Sequence, residues 1–448
     1  MKIVNDPGID RITRDLSGAM WILARLPENG STAGFIHRCF RREVWDEISL
    51  RDRLAMRAVL PAVPLVIMVL TAIFTTLNGS AIKKRTGKGI VQQIREQIQL
   101  AIQFAILSPW YYIFELHDDD KRRHAGEYLN RLETKAGLYR FLRDYNGGLP
   151  LPAERSTACI SDKACFTARC RKFNIAIAPV LLSVDKGKFT AVDWREPGLP
   201  EVDLFVKAVR GRGGKNATRW SYLGSGRYQR NDGEVATGDQ LLERLREASW
   251  RRAFLIQPRL VNHREITDLA NGTLATVRVM SCRNEQDEFE VTNAVLRMAR
   301  DNTVVVDNFH AGGIAANVDI RTGELGMGAC GAWGATADGW YDRHCATGAQ
   351  ILHRKLPRWP ELIELVQHAH GAAFSDQVVI GWDVALLDNG PCLIEANKAP
   401  DLDIIQRIGG GPVGNERLGQ LLAFNLKRTV ETKYRGFKVR DHFRFGAM

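Results

Sequence analysis

The sequence predicts an α+β fold for residues 151–448 and a helical, partly apolar region before it. Residues 1–150 are rich in helix formers, arginine and large apolar residues, and they contain few strand-like alternations. Residues 151–448 contain short runs of strand-forming residues with helical patterns between or beyond them. Because several consecutive strands lack an intervening helix, a partly antiparallel sheet is favoured over a doubly wound parallel one.

The N-terminal region contains one long apolar run, Ala58–Leu77, which has no charged residue and is long enough to cross a bilayer. Basic residues flank it on both sides, namely Arg51, Arg53, Arg57, Lys83, Lys84, Arg85 and Lys88. This pattern favours an interfacial segment, bent by two prolines, with both ends in the cytoplasm. The alternative is a helix buried in a large core. The first interpretation predicts membrane association through residues 58–77, with an anionic membrane surface as a partner.

The composition is that of a basic globular protein. The chain has 448 residues, a formal net charge of +11 and a pI near 9.3. This charge suits nucleic acid, an anionic membrane or a phosphorylated substrate, but no zinc finger or RNA-recognition motif accompanies it, so we expect no nucleic-acid partner. The eight cysteines are scattered without a CxxC pair, which predicts reduced thiols in a cytoplasmic protein. No cleavable signal peptide is expected, because no apolar stretch follows the first charged residue.

The elements of the second region follow from their residue patterns. Helical patterns lie near 162–173, 238–250, 359–375 and 414–432. The strand-like runs are DLFVKAV, AFLIQPRL, LATVRVMS, FEVTNAVLRM, NTVVVDNF, GIAANVDI, VVIGWDVALL and PCLIEAN.

The first of these strands leads into a basic, glycine-rich loop, LFVKAVRGRGGKN. The strand carries Lys207, and the loop contains Gly211, Gly213 and Gly214. Lysine supplies a point charge for a phosphate, and glycines let backbone N–H groups close over a phosphate chain. The lysine precedes the glycines, so the segment is neither a P-loop nor a dinucleotide-binding fingerprint. Taken alone, the segment also fits a plain basic turn.

The last two strands form a predicted hairpin, GWDVALLDNGPCLIEAN, around the turn residues Asp388–Gly390. Antiparallel pairing across this turn places Asp383 beside Glu395 and Asn397 on one side of the hairpin. Two carboxylates and an amide oxygen form a hard-oxygen site that suits Mg²⁺ bridging phosphates. A solvated hairpin edge is the alternative, but it does not explain carboxylates set among apolar residues.

Two further segments carry candidate residues. In VLRMARDNTVVVDNFHAGG, Arg297 lies on a strand and Asn308 on a polar bend, where they could stabilise a transferring phosphoryl group. His310 of the same bend fits a core histidine equally well. In QPRLVNHREITDLANGTLATVRV, Glu265 and Arg278 bracket a segment that could lie over a nucleotide.

In this order, the residues resemble an ATP-grasp enzyme. SDKACFTARCRKFNIAIAP, with Asp162 and Lys163, is similar to the first phosphate-binding segment of that superfamily, and AFLIQPRL is similar to the strand before its adenine-binding hinge. The segments LVNHREITDLANGTLATVRV, DNFHAGGIAANVDIRTGEL, HCATG and KLPRWPELIELV resemble the sugar-transfer-associated ATP-grasp family, which is related to α-L-glutamate ligases. The resemblance covers roughly residues 100–430. It implies two α+β subdomains that clasp ATP.

The resemblance implies ATP and Mg²⁺ as cofactors and assigns residues to them. Those near ATP are Lys163, Lys207, Gly211, Gly213, Gly214, Gln257, Leu260 and Glu265. Asp383, Glu395 and Asn397 match the metal motif, while Arg278, Arg297 and Asn308 fall near the transferring phosphoryl group. The sequence departs from the pattern at Gln257, where many relatives have glutamate, and in HCATG, which lacks a proline after His344.

The activity implied by the resemblance is that of a carboxylate–amine ligase working through an acyl phosphate, in polysaccharide or glycoconjugate biosynthesis. Its substrates would be a small-molecule or sugar-linked carboxylate and an amine. Two alternatives stay open from the sequence. One is a phosphotransferase on the same fold, and the other is a non-catalytic, membrane-tethered nucleotide-binding partner of a glycan assembly system.

Overall fold

The computed structural model describes residues 19, 20, 24, 30–210, 217–300, 309, 312–330 and 339–437 of the chain. Within these residues the fold is α+β, as predicted, with a helical N-terminal region followed by two seven-stranded sheets. Neighbouring strands within each sheet pair antiparallel throughout the described part. The predicted preference for antiparallel pairing is therefore confirmed.

The N-terminal region is built from short helices around one long one. Its helices are α1 (Thr32–Cys39), α2 (Leu50–Ala58), α3 (Val63–Thr86), α4 (Ile90–Phe104), α5 (Ser108–Ile113), α6 (Asp119–Arg123), α7 (Arg131–Glu133) and α8 (Tyr139–Asp144). Helix α3 contains most of the predicted apolar run. It ends at Gly87, whose φ of 77° is left-handed and therefore suits glycine.

Helix α3 buries polar residues beside Val63, Ile67 and Ile82, and it exposes several large apolar side chains. Thr71, Thr75 and Asn78 are buried and follow one another at about one helical turn. The Thr71 hydroxyl lies 2.9 Å from the Ser108 hydroxyl, and Gln97 donates a hydrogen bond of 2.9 Å to the Thr75 hydroxyl. The exposed apolar side chains are Leu65, Met68, Val69, Ile73 and Leu77.

Two short helices, α9 (Thr157–Ser161) and α10 (Lys163–Lys172), lead into the first sheet. Its strand order is β2-β1-β7-β3-β4-β5-β6. The strands are β1 (Leu182–Asp185), β2 (Lys188–Ala191), β3 (Leu204–Ala208), β4 (Thr218–Gly224), β5 (Arg227–Arg230), β6 (Val235–Thr237) and β7 (Phe254–Pro258). Helix α11 (Gly238–Ala248) begins at a capping box of Thr237 and Gln240, and its Leu241 and Leu245 complete the core of this sheet.

The second sheet has the order β12-β11-β10-β9-β8-β13-β14. Its strands are β8 (Thr276–Arg283), β9 (Phe289–Met298), β10 (Ile314–Val318), β11 (Leu325–Cys330), β12 (Trp340–Tyr341), β13 (Val379–Leu387) and β14 (Gly390–Asn397). The accompanying helices are α12 (Thr267–Ala270), α13 (Trp359–Ala373), α14 (Asp403–Ile408) and α15 (Arg417–Phe437). Leu362 and Val366 of α13 share a core with Val279, whereas Leu421 of α15 shares a different core with Met280, so helices cover both faces of β8.

The N-terminal region packs directly on the second sheet. Leu129 and Phe141 lie in the same hydrophobic core as Leu421 of α15. Glu115, between α5 and α6, is 2.9 Å from Arg407 of α14 and 3.8 Å from Arg85 of α3. Although burial opposes the effect, Arg407 and Lys121 lower the pKa of Glu115 to about 2. Side chains from before and after residue 150 share this core, so the core does not mark a boundary there. The domain boundary near residue 150 therefore stays a prediction.

The predicted elements are confirmed wherever the structure describes them. The four helical patterns correspond to α10, α11, α13 and α15, and the strand-like runs to β3, β7, β8, β9, β10, β13 and β14. The run NTVVVDNF lies outside the described residues except for Phe309. The patterns missed β1, β2, β4, β5, β6, β11 and β12, which are short strands or strands rich in charged and small residues.

One expectation about the cysteines is wrong. Cys159 and Cys165 are joined by a disulfide across the start of α10, so not all thiols are free. Their Cα atoms are 4.7 Å apart, which is within the range that a disulfide spans. The sequence has no CxxC pair, and two cysteines six residues apart carry no comparable signal for a disulfide. Cys39, Cys170, Cys282, Cys330, Cys345 and Cys392 are free, as expected.

Candidate active site

Strand β3 turns Lys207 away from the core of the first sheet. Its neighbours Val206 and Ala208 lie in that core, and the alternation of a strand directs Lys207 to the opposite face. Burial and the nearby Lys163 lower the pKa of Lys207 to about 8, although Glu395 opposes this change. The ammonium group is therefore short of counter-charge, which suits a site that receives an anion.

The second lysine, Lys163, is the first residue of α10. Asp162 caps this helix by accepting hydrogen bonds from the backbone N–H groups of Ala164 (3.1 Å) and Cys165 (3.2 Å). Lys163 Nζ lies 3.7 Å from Glu395 Oε2. The cap fixes the start of the helix, and Lys163 thus approaches the carboxylate that also faces Lys207.

The hairpin β13–β14 brings the predicted carboxylates together. Asp383 stands directly opposite Glu395 in the strand register, and Gly381 stands opposite Asn397. The chain reverses after Leu387, which pairs with Gly390, as the turn residues predicted.

On its other side, strand β13 pairs with β8, and Asp383 stands opposite Arg278. Arg278 donates to Asp383 through both Nε and Nη2, the latter at 3.1 Å, and Arg297 Nη2 donates at 3.1 Å. Burial opposes ionisation of Asp383, but the two guanidinium groups lower its pKa to about 2. The structure thus places Arg278 and Arg297 on a buried carboxylate, where sequence reasoning had placed them beside a phosphoryl group.

Glu395 is less well compensated than Asp383. Burial and the facing Asp383 raise the pKa of Glu395, whereas Lys163, Lys207 and Arg278 lower it and do not reverse the shift. Asn397 follows two residues later on β14, and its side-chain nitrogen is buried without a hydrogen-bond partner among the residues that the structure describes. Buried polar groups are normally satisfied, so these groups mark a site prepared for something further.

The residues fit a divalent cation carried by a nucleotide. No group of three or more His, Cys, Asp and Glu side chains forms a metal site among the described residues. Asp383, Glu395 and the amide oxygen of Asn397 could hold Mg²⁺ only together with phosphate oxygens, because Mg²⁺ is commonly bound by one or two carboxylates plus substrate phosphates. A cation would also relieve the repulsion that raises the pKa of Glu395.

A profile described as sugar-transfer associated ATP-grasp matches residues 145–420, which is more than half of the chain. The chain belongs to this family. The resemblance seen in the sequence, and the ATP-grasp fold that it implied, are thereby confirmed.

Solved ATP-grasp structures resemble the chain more distantly. An L-amino acid ligase from Bacillus licheniformis is 13% identical, with a TM-score of 0.37 over 66% of this chain and 53% of its own. A D-alanine–D-alanine ligase from Bacillus anthracis complexed with ATP is 14% identical, with a TM-score of 0.32 over 64% of this chain and 70% of its own. The chain thus spans about half the length of the first. Among curated proteins, none matches the chain.

Of the predicted ATP-binding residues Gln257, Leu260 and Glu265, only Gln257 has a side-chain hydrogen bond in the described part of the chain. Its side-chain nitrogen donates to the carbonyl oxygen of Pro179 at 2.8 Å, so it ties β7 to the segment before β1. Leu260 is half-buried just after β7, while Glu265 is exposed in a turn. The carboxylate of Glu265 has no hydrogen bond or ion pair within the described chain, and the structure does not bring it to the lysines.

Several predicted residues of this ATP-grasp protein lie outside the described part. They are Gly211, Gly213, Gly214, Asn308 and His310. His344 is described and is buried in a loop after β12. Its ring contacts the carbonyl oxygen of Ala299 at 3.1 Å and the N–H group of Thr347 at 3.2 Å, and burial lowers its pKa. This is a neutral histidine that organises a loop.

Sequence reasoning missed one residue beside the site, Thr276. Its hydroxyl accepts a hydrogen bond of 3.1 Å from Arg297 Nε and so fixes the guanidinium that contacts Asp383. Thr276 stands two residues before Arg278 on β8, and residues two apart share a face of a strand. This spacing was the available signal.

Proposed function

We propose that this ATP-grasp protein is an ATP-dependent ligase that joins a carboxylate to an amine and forms ADP and phosphate. The supporting observation is the convergence of Lys163 and Lys207 on the Glu395 carboxylate, which itself faces Asp383. Lysines neutralise phosphate oxygens, and paired carboxylates hold the cation that accompanies a nucleotide.

The proposed reaction has two steps. A carboxylate oxygen of the substrate attacks the γ-phosphorus of ATP, the bond from that phosphorus to the bridging oxygen breaks, and ADP leaves an acyl phosphate. The amine then attacks the acyl carbon, loses a proton and displaces phosphate, which gives an amide. Mg²⁺, when bound, supplies charge neutralisation at the β- and γ-phosphates.

The side chains act in this reaction by positioning and by charge. Lys163 and Lys207 hold the phosphates. Burial lowers the pKa of Lys207, and a bound phosphate would stabilise its charged ammonium form again. Asp383 holds Arg278 and Arg297 in fixed orientations at the edge of the same cluster. Arginines held in this way would stabilise charge on the transferring group without reorganising. Such positioning needs no nucleophilic side chain.

The experiment that tests the ligase proposal is phosphate release from ATP in the presence of pools of carboxylic acids and amines. A ligase requires both partners for turnover, and the product contains an amide. ADP formation that needs only an alcohol, leaves the phosphoryl group on that alcohol and releases no phosphate would identify a phosphotransferase instead. Absence of nucleotide binding by calorimetry would contradict both activities.

We further propose that the acceptor is a sugar-linked carboxylate in polysaccharide or glycoconjugate assembly. The support is the family itself, whose description associates it with sugar transfer. A pool of uronic acids and their glycosides should therefore support turnover better than a pool of free amino acids.

We also propose that the N-terminal region attaches the protein to an anionic membrane surface. The only described helical stretch that is long and apolar enough to cross a membrane is Leu50–Thr86, and just 17% of its most apolar window is buried. A core helix would bury most of that window. Helix α3 instead packs Thr71, Thr75 and Asn78 inside and exposes five large apolar side chains from Leu65 to Leu77, which favours a helix lying in the interface over one spanning the bilayer. Flanking basic residues each add about 1 kcal/mol near anionic lipids.

The membrane proposal is tested with two matched substitutions. Ile73 of α3 and Val235 of β6 are both 47% exposed, so a charge at either position should leave the fold intact. Ile73→Glu should lose binding to vesicles containing phosphatidylserine, and Val235→Glu should retain it. The proposal would be contradicted if both variants bound the vesicles equally well, or if the wild-type protein did not bind them at low salt.

A further inference from the structure

A cavity of about 580 Å³ lies beside two of the segments that carry the candidate site. Its wall includes Asp162, the residue before Lys163, and Lys398, the residue after Asn397. The rest of the wall comes from the end of α8, from α9 and the residue Arg155 before it, and from Arg210 after β3. The cavity therefore lies between the start of α10, the end of β14 and helix α8 of the N-terminal region.

Cations outnumber carboxylates in this wall. The charged lining residues are Arg143, Arg155, Arg210, Lys398, Asp144 and Asp162. Both carboxylates already have other roles or poor geometry. Asp162 caps α10 and accepts a hydrogen bond of 3.2 Å from Arg210 Nε, while Asp144 is half exposed and 3.7 Å from Arg143 Nε. The cavity thus keeps an excess of positive charge.

Arg143 and Arg155 lie close together without a shared anion. Arg155 donates a hydrogen bond of 2.7 Å to the backbone carbonyl of Arg143, and no carboxylate partner of Arg155 is found in the described chain. The Arg143 side chain is only 15% exposed. Burial lowers its pKa, and the neighbouring Arg155 and Arg140 contribute to the decrease, which Asp144 and Asp376 oppose. Arg143 and Arg155 both line the cavity, so an anion bound there would offset the desolvation and the repulsion.

A solvated basic surface does not account for Arg143. Arg155 and Arg210 are exposed, but Arg143 is largely buried at the wall of the cavity, where its charge is screened less than on an open surface. The nucleotide does not need these arginines either, because Lys163 and Lys207 already face the carboxylate cluster. Paired arginines bind phosphate groups bidentately.

We infer that this cavity binds the phosphate or diphosphate group of the acceptor substrate, with Arg143 and Arg155 as its principal ligands. The inference rests on the proposed ligase function, since it assigns the second substrate of that reaction. The acceptor is therefore a phosphorylated compound whose anionic group lies towards the N-terminal region while its carboxylate reaches the γ-phosphate. Both a soluble sugar phosphate and a lipid diphosphate carry this chemistry.

The test uses full-length protein saturated with ADP and Mg²⁺, so that the nucleotide site is filled. Two probes are titrated by calorimetry: glucose 1-phosphate for a soluble source and geranyl diphosphate in detergent for a lipid source. Arg155→Met, at an exposed position, should weaken binding of at least one probe by tenfold or more while leaving the affinity for ATP unchanged. Arg252→Met, an exposed arginine outside the cavity, serves as the matched control.

Three results would overturn the inference. Failure of both probes to bind wild-type protein that still binds ADP rejects the phosphate site and leaves the ligase proposal intact. If Arg155→Met weakens ATP binding as much as it weakens probe binding, the cavity belongs to the nucleotide site. Equal effects of Arg155→Met and Arg252→Met show that only overall charge matters. Loss of ADP binding by the wild type, in contrast, rejects the ligase proposal itself.

Discussion

Two buried polar clusters in this protein differ in how completely their charges are matched. In the N-terminal region, the Glu96 carboxylate accepts hydrogen bonds from Lys88 (3.0 Å) and Tyr111 (2.7 Å) and lies 3.1 Å from Arg122. In the ATP-grasp domain, the nearest lysine to the Glu395 carboxylate is 3.7 Å away, and the pKa of Glu395 is raised. Similar residue types are thus assembled to opposite effect.

The difference indicates that the Glu96 cluster serves the fold and the Glu395 cluster serves binding. The Glu96 cluster satisfies its charges internally and therefore holds helices α4, α5 and α6 together. The Glu395 cluster leaves a desolvated lysine, a glutamate whose pKa is raised and an amide without a partner in the described chain, all of which a nucleotide with its cation would satisfy. Substitutions in the first cluster should affect stability, and those in the second should affect function.

The largest effect is expected for Glu395→Gln. The substitution is isosteric and removes the charge that would contact the cation, so ATP turnover should fall by at least about a hundredfold. Tm should stay constant or rise, because the change also removes the repulsion with Asp383. ADP release and thermal unfolding measure the two quantities. Near-normal turnover would contradict the metal-site assignment.

A smaller effect is expected for Lys207→Ala, which removes one charge-assisted hydrogen bond to phosphate. Calorimetry should show ATP binding weakened by about 1.5–3 kcal/mol. Because burial penalises the Lys207 ammonium, the free protein should not lose stability. Unchanged ATP affinity would exclude Lys207 from the nucleotide site.

Glu96→Gln is the matched substitution in the other cluster and should give the opposite result. The free energy of unfolding should decrease by about 1.5–3 kcal/mol, since hydrogen bonds to a charged acceptor are weakened. ATP affinity and turnover should remain as in the wild type. If Glu96→Gln impaired turnover at a temperature where it is fully folded, the separation of the two clusters would be wrong.

The smallest effect is a pH dependence of nucleotide affinity. The pKa of Lys207 is lowered to about 8, so its charge is present below that pH and lost above it. Phosphate binding favours the charged form, and ATP affinity should therefore fall as pH rises through 8, by at most about tenfold per pH unit. Lys207→Met should abolish this slope. An identical slope in the variant would assign it to another group.

The hairpin site was predictable because the residues that determine it are close together in the sequence. A DNG turn fixes the register of β13 and β14, and that register places Asp383 opposite Glu395. The pairing of Asp383 with Arg278 was not predictable in this way, because β8 is about a hundred residues away and its register depends on the whole sheet.

The orientation of α3 was similarly hidden in the sequence. Apolar residues occur on all sides of Ala58–Leu77, so hydrophobic periodicity could not identify the buried face. The polar residues Thr71, Thr75 and Asn78 do show a helical spacing, and they mark the inner face. The spacing of these polar residues therefore indicates which side of α3 faces the protein.

The contact that ties α3 to the catalytic half of the molecule has a consequence for how this protein can be handled. Arg85 at the end of α3 and Arg407 of α14 share Glu115, and Thr75 of α3 shares its hydroxyl with Gln97 of α4. The apolar helix is consequently not a detachable tag, because removing it would strip partners from groups that stay behind. Helix α3 and the ATP-grasp fold belong to one cooperative unit, so any molecule that bound the exposed face of α3 would also change the thermal stability of the whole protein.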